Sequence, residues 1–213
     1  MTDNIQIQIT KPFGPSVAKV KMPLELIEKL NDYIDNVIKD ETKYKNLDYG
    51  NKLAGNVKQE FKLENDFVDK SRFLEFLLLS TKNWIKLSGL PEIKKFELLS
   101  SWAVRQFKNE YNPVHTHSGH VSGVGYLKVP KDLGPTVQNN KKVNPNGTLE
   151  LIHGTKMFLS NSTFKITPKV GDFYFFPNYM MHSVYPFTNS DEERRSVSFN
   201  AKVDEQIYDS YAK

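Results

Sequence analysis

Three histidines fall within six positions, in the run Asn112-Pro113-Val114-His115-Thr116-His117-Ser118-Gly119-His120. Imidazole offers a neutral nitrogen lone pair of intermediate softness, suited to Fe, Zn, Cu or Ni. Side chains two positions apart in extended backbone leave the same face, so His115 and His117 are expected to converge on one cation. A lone histidine in a polar loop most often faces water. A His-x-His pair joining two β-type runs asks for a metal.

A second constellation follows downstream. Residues 171–182 read Gly-Asp-Phe-Tyr-Phe-Phe-Pro-Asn-Tyr-Met-Met-His: a glycine turn, an aromatic strand, a proline that ends it, and His182 just beyond. Twelve positions later Arg194-Arg195-Ser196 leads into Val197-Ser198-Phe199. Arg194 and Ser196 share a strand face, where a guanidinium fork and a hydroxyl can hold a carboxylate. An arginine turned into a protein interior needs a buried anion, because an unpaired buried charge is costly. The chemistry implied is a metal ion beside an organic acid.

Positioning these groups falls to a sheet. After about residue 95 the chain carries short runs rich in β-branched and aromatic residues, over Phe96–Phe107, Val121–Val129, Thr148–Ile152, Phe173–Phe176 and Arg195–Val203. Lys131–Asn146 is polar, carries prolines and is expected to be a loop. Earlier, Pro23 opens a helix with Ile27, Leu30, Ile34 and Val37 at helical spacing. A second helix is predicted from Asp66 to Leu87, closed by Gly89 and Pro91, and Ile5–Ile9 reads as a short strand. The fold class predicted is α+β: a jelly roll, cupin-like, with N-terminal supporting helices. Residues 1–213 are expected to form one domain, with a strand and helices over 1–94 and the β core over 95–205.

Composition narrows the function classes. A chain of 213 residues, 25% charged and 38% hydrophobic, has the make-up of a soluble globular protein. It contains no cysteine, which excludes disulfides, thiolate metal sites and a cysteine nucleophile. Its N-terminus shows no basic segment followed by an apolar one, and its apolar runs are too short to cross a bilayer, so a cytoplasmic protein without a membrane partner is expected. The net charge is +4 and the pI about 9.0, but the lysines form no long block, so nothing points to nucleic acid. Lys108, Lys128 and Lys131 are assigned to a solvated surface. No phosphate-cradling glycine loop, Gly-x-Ser-x-Gly elbow or glycosidase-type carboxylate pair is present.

The order of the pieces carries a resemblance. His-x-His, then Ser122-Gly123-Val124-Gly125-Tyr126-Leu127, then Gly-Asp-x-x-x-Phe-Pro, then His182, then Arg-x-Ser resembles the 2-oxoglutarate/Fe(II) dioxygenase superfamily over residues 96–203. The likeness is greatest to small prolyl-hydroxylase-like oxygenases, including phage-type ones. It implies a double-stranded β-helix, Fe(II) and 2-oxoglutarate as cofactors, O2 as oxidant, and a hydroxylase-type reaction coupled to oxidative decarboxylation of 2-oxoglutarate. It further implies His115 and His182 as metal ligands, and Arg194, Ser196 and Tyr126 as partners of the distal carboxylate of 2-oxoglutarate. The substrate would be a small molecule or a peptide side chain, chosen by loops at the barrel mouth.

One position departs from the family pattern: its usual metal-binding carboxylate is replaced by His117. Three arrangements are open. His115, His117 and His182 form a three-histidine face, the assignment we take; or His120, Glu150 or Asp172 completes the site; or the site holds another metal or is inactive. His120 is assigned to the pocket wall or to a place behind the ligands under the first arrangement, with a solvent-facing loop histidine as the alternative. Trp102 and Gln106 lie where they can line the pocket, with Trp102 assigned to core, and Tyr111 and Asn112 border it. A cupin-like three-histidine metalloenzyme that does not use 2-oxoglutarate, or a non-catalytic jelly-roll binding module, are the competing readings. Arg194 discriminates between them, because only a carboxylate co-substrate requires it.

Overall fold

The computed structural model describes residues 6–10, 14–136, 138 and 140–209. Eleven strands, all in antiparallel pairs, build two sheets among the described residues. Numbered along the chain, β1 (Ile7–Thr10), β2 (Val17–Lys21) and β3 (Gln59–Lys62) precede the long β4 (Phe96–Gln106). Then come β5 (Asn112–His115), β6 (Val121–Lys128), β7 (Leu149–Ile152), β8 (Thr163–Ile166), β9 (Asp172–Pro177), β10 (Met181–Val184) and β11 (Arg194–Val203). The large sheet runs β1-β2-β9-β6-β11-β4-β3, and the small one β5-β10-β7-β8. From β4 onward the chain passes repeatedly between the two sheets, which is the winding of a double-stranded β-helix.

β9 explains why this winding is stable. Strand side chains alternate, so Phe173 and Phe175 leave one face of the large sheet and Tyr174 and Phe176 the other. The first pair packs into the larger apolar core with α1 (Leu24–Lys39) and α4 (Phe73–Leu87). The second joins Tyr126, Leu149 and Leu151 between the sheets. A strand covered on both faces reads as a continuous aromatic run. Burying each such ring contributes roughly 1.5–3 kcal/mol. Close packing also dictates Gly125, where an added Cβ would lie 2.2 Å from Cδ2 of Phe173.

The N-terminal helices shield the outer face of the large sheet. Leu26, Ile27, Leu30, Ile34 and Val37 bury the inner stripe of α1. One polar bolt fastens that helix to the barrel. Arg195, 1% exposed, donates through Nη1 to the Asn31 carbonyl at 3.2 Å and to Asn31 Oδ1 at 3.0 Å. Its Nη2 reaches Asp35 Oδ1 at 2.5 Å and also Glu193.

Several elements differ from the sequence expectation. The helix predicted over 66–87 is two helices, α3 (Asn65–Lys70) and α4, because Arg72 adopts a left-handed φ of 69°. Ser71 spans that break, donating to the Val68 carbonyl and accepting from the Phe73 N–H. The first strand begins at Ile7, and Ile5 lies outside the described residues. Strands β2 and β3 come from the segment assigned to a strand and helices, and both join the large sheet. Among the described residues, no helix is long and apolar enough to cross a membrane.

Candidate metal centre

The small sheet brings two of the histidines together. His115 ends β5 and His182 lies on β10, where the two are direct register partners with ring centroids 4.2 Å apart. His117 reaches them differently from the sequence expectation. It lies past the end of β5, so it does not share a strand face with His115. Instead its backbone N–H donates to the Asn178 carbonyl at 3.0 Å, and the Asn178 amide donates back to the His117 carbonyl at 3.2 Å. This clasp places the His117 ring 5.0 Å from His115 and 4.9 Å from His182. One ring nitrogen from each histidine lies within 4.8 Å of the other two.

The backbone also fixes which nitrogens are free. His182 Nδ1 faces the Met180 carbonyl at 2.9 Å, and His115 Nδ1 faces the Pro113 carbonyl at 2.7 Å. A carbonyl only accepts, so both Nδ1 atoms carry the proton and both Nε2 lone pairs are bare. His117 Nε2 sits 3.1 Å from His182 Nε2. Burial keeps the rings neutral. It holds His117 down to about 3, helped by His182 and His115, and His182 down to about 4, helped by His115. His115 is lowered by burial as well. Neutral imidazoles with converging lone pairs are the form a divalent cation binds.

Beside the histidines a narrow cleft of about 50 Å³ opens. Arg194 and Ser196 both line it, as does Trp102, which is a wall of the cleft rather than core alone. Arg194 is 2% exposed and, among the described residues, is the only lysine or arginine in the lining. Its Nη1 donates to Gln106 Oε1 at 3.0 Å, and its guanidinium lies 4.9 Å from the centre of the Tyr126 ring. Arg194 Nε and Tyr126 Oη are buried without a hydrogen-bond partner. Burial pushes the Tyr126 phenol up from its ordinary range, against the pull of the Arg194 charge.

No carboxylate completes the histidine cluster among the described residues. Asp172 is instead paired with Lys19 at 3.0 Å and with Lys21. Glu150 accepts from the Tyr185 hydroxyl at 3.0 Å and faces Lys165. His120, assigned to the pocket wall from sequence, lies outside this cleft. Its ring stacks on Tyr208 at 3.9 Å, and its Nδ1 accepts from the Val203 N–H.

Residues 100–200 match the family model described as "Putative 2OG-Fe(II) oxygenase". Over this segment the chain is similar to the 2-oxoglutarate/Fe(II) oxygenases. The oxygenase fold extends over most of the chain. A Pseudomonas putida prolyl-4-hydroxylase is 16% identical, with 86% of this chain and 91% of that chain covered at a TM-score of 0.52. The viral collagen prolyl hydroxylase of Paramecium Bursaria Chlorella virus-1, solved as its 2-oxoglutarate complex, is 16% identical over 87% and 94% at 0.53. HygX of Streptomyces hygroscopicus, solved with nickel and 2-oxoglutarate, is 9% identical over 87% and 81% at 0.56. No curated protein sequence matches the chain. Fe(II) and 2-oxoglutarate are the metal and co-substrate of the oxygenase family. The cleft offers a neutral nitrogen cluster and an arginine with an unpaired donor for them.

Among the described residues, the cleft is lined by one acidic side chain that sequence reasoning missed. Glu60, on β3, is 2% exposed and lines the cleft with the histidines. Burial pushes its carboxyl up to about 7. Its local sequence, Gln59-Glu60-Phe61-Lys62, carries no signal beyond that of an ordinary edge strand.

Proposed function

We propose that the protein is a hydroxylase in which His115, His117 and His182 hold Fe(II), while Arg194, Ser196 and Tyr126 hold the distal carboxylate of 2-oxoglutarate. The observation that carries this reading is the pairing of two incomplete sites in one cleft. Three neutral imidazoles bring one nitrogen each within 4.8 Å of the others, and a buried guanidinium faces no anion among the described residues. A cation relieves the first and a carboxylate the second.

Each residue then has a physical task. The Met180 and Pro113 carbonyls hold His182 and His115 in the tautomer that presents Nε2. Gln106 aims the Arg194 fork into the cleft, and Ser196, on the same strand face, adds a hydroxyl donor. Leu149, Phe176 and Val184 make the adjoining walls apolar and exclude water. Bound together, the metal and 2-oxoglutarate supply the oxidising power, as O2 is consumed and 2-oxoglutarate is converted to CO2 and succinate. With three neutral ligands the full 2+ charge of the iron is available to the 2-oxoglutarate dianion, where a carboxylate ligand would offset part of it.

A three-histidine enzyme that uses no 2-oxoglutarate leaves Arg194 buried without an anion, which argues against that alternative. The test is Fe(II)-dependent release of succinate from 2-oxoglutarate by the wild type and by Arg194→Ala. Iron-loaded wild-type protein that neither binds nor turns over 2-oxoglutarate overturns the proposal.

A further inference from the structure

Glu60 is not used by the chemistry above, yet the sheet aims it at the same place. Across the large sheet Glu60 pairs with Val104, Val104 with Ser196, and Ser196 with Tyr126. Paired residues share a face, so this single row puts Glu60 on the face that carries the 2-oxoglutarate contacts. Strand order β3-β4-β11 sets its backbone two strands, roughly 10 Å, from that of Arg194, whose Nη1 is taken by Gln106 on the strand between.

The carboxylate is buried beside the neutral Asn112 amide, and no ion pair to it is found among the described residues. Neither Oε1 nor Oε2 has a hydrogen-bond partner. The chain ahead of β3 passes directly over it, and a Cβ on Gly55 would lie 2.6 Å from Oε1 and 2.8 Å from the Asn112 amide nitrogen. Asp48 and Glu110 add negative charge nearby, opposed by the Asn112 side chain. Neighbouring Arg105 is engaged elsewhere, with Glu193 and Gln59. A buried carboxylate with only a neutral amide beside it costs free energy that a cation would offset.

We infer that Glu60 binds the substrate and selects one that presents an amine or guanidinium. A carboxylate accepts hydrogen bonds and never donates them when ionised, so its partner must bring hydrogens. A cation brings hydrogens and the missing positive charge together, and a charge-assisted bond is roughly twice as strong as a neutral one. Trp102 supports the choice. It shares the inward face, diagonal to Glu60 across β3 and β4, and lines the cleft, where its ring can take a cation. This inference rests on the proposed function, in that 2-oxoglutarate occupies the Arg194 side and leaves the Glu60 side to the substrate.

The test uses iron-loaded protein with 2-oxoglutarate under anaerobic conditions and measures binding by calorimetry. The probes are the N-acetyl methylamides of lysine, arginine and norleucine, the last being the lysine chain without its amine. The wild type is expected to bind a cationic probe at least tenfold more tightly than the norleucine probe, and Glu60→Gln is expected to erase that preference. Equal binding of norleucine, no binding of either cation, or a preference that survives in Glu60→Gln overturns the inference. If Glu60→Gln fails to fold, the wild-type preference still decides. Succinate release by the wild type without any probe separates the two ideas. Release without a cation preference removes only the role of Glu60, whereas failure to bind 2-oxoglutarate removes the oxygenase mechanism itself.

Discussion

His115 and His182 are partners in one antiparallel ladder, while the third ring of the cluster is held from outside it by Asn178. Sheet hydrogen bonds therefore fix two of the three rings, and a loop clasp fixes the third. His115→Ala and His182→Ala are expected to weaken Fe(II) binding more than about 100-fold, beyond the range typical of losing an outer partner. Asn178→Ala should weaken it about tenfold by loosening His117, and His120→Ala should leave it unchanged. Metal titration of the purified variants checks this, and a large loss in His120→Ala would overturn the ligand set.

Arg194 and Gln106 form a buried relay, so their variants separate binding from aiming. Arg194→Ala is expected to raise the KM for 2-oxoglutarate about 100-fold, or about 2.7 kcal/mol, with little rescue by lysine, which lacks the planar fork. Gln106→Ala should raise it only about fivefold, since the guanidinium remains and loses only its orientation. Steady-state succinate release against 2-oxoglutarate concentration measures both. A fully active lysine variant would contradict a bidentate grip.

Asp172 gives the fold a defined acid limit. Burial pushes its carboxyl up, but hydrogen bonds from Lys21 and Lys19 more than offset this and hold it below the usual range. A folded-state pKa below the unfolded value of about 3.9 means stabilisation above that pH, lost as pH falls through the folded value. Both lysines are partly exposed, so the contribution is about 1 kcal/mol after screening. Denaturant melts of Asp172→Asn should show that deficit at pH 7 and a shrinking one near pH 3. A gap that widens on acidification would refute the sign.

Packing at Gly125 leaves no slack. Gly125→Ala forces the Phe173 ring off β6 and is expected to destabilise the protein by about 1–3 kcal/mol, read as a lower denaturation midpoint with an unchanged slope. An unchanged midpoint would mean that the ring relocates freely.

The barrel was legible where side chains alternate strongly. The aromatic run of β9 and the β-branched runs of β4, β6 and β11 announce themselves because burial on one or both faces demands those residues. The short β2, β3, β5, β8 and β10 were not, since partners across the sheet rather than local composition make them strands. The same holds for the site. His-x-His spacing pointed to two rings that do come together, although His117 converges through a loop clasp instead of a shared strand face. Glu60 left no trace in sequence, as only the pairing of β3 with β4 turns it inward.

Consecutive arginines on β11 serve opposite sides of the large sheet. Arg195 grips α1 on the outside while Arg194 enters the cleft. A one-residue slip of that strand would turn Arg194 toward the helix and Arg195 toward the cleft, so that neither keeps its present partners. Docking of the outer helix thus checks the register of the interior: a molecule that has seated its N-terminal buttress on Arg195 has, by the same act, turned Arg194 inward.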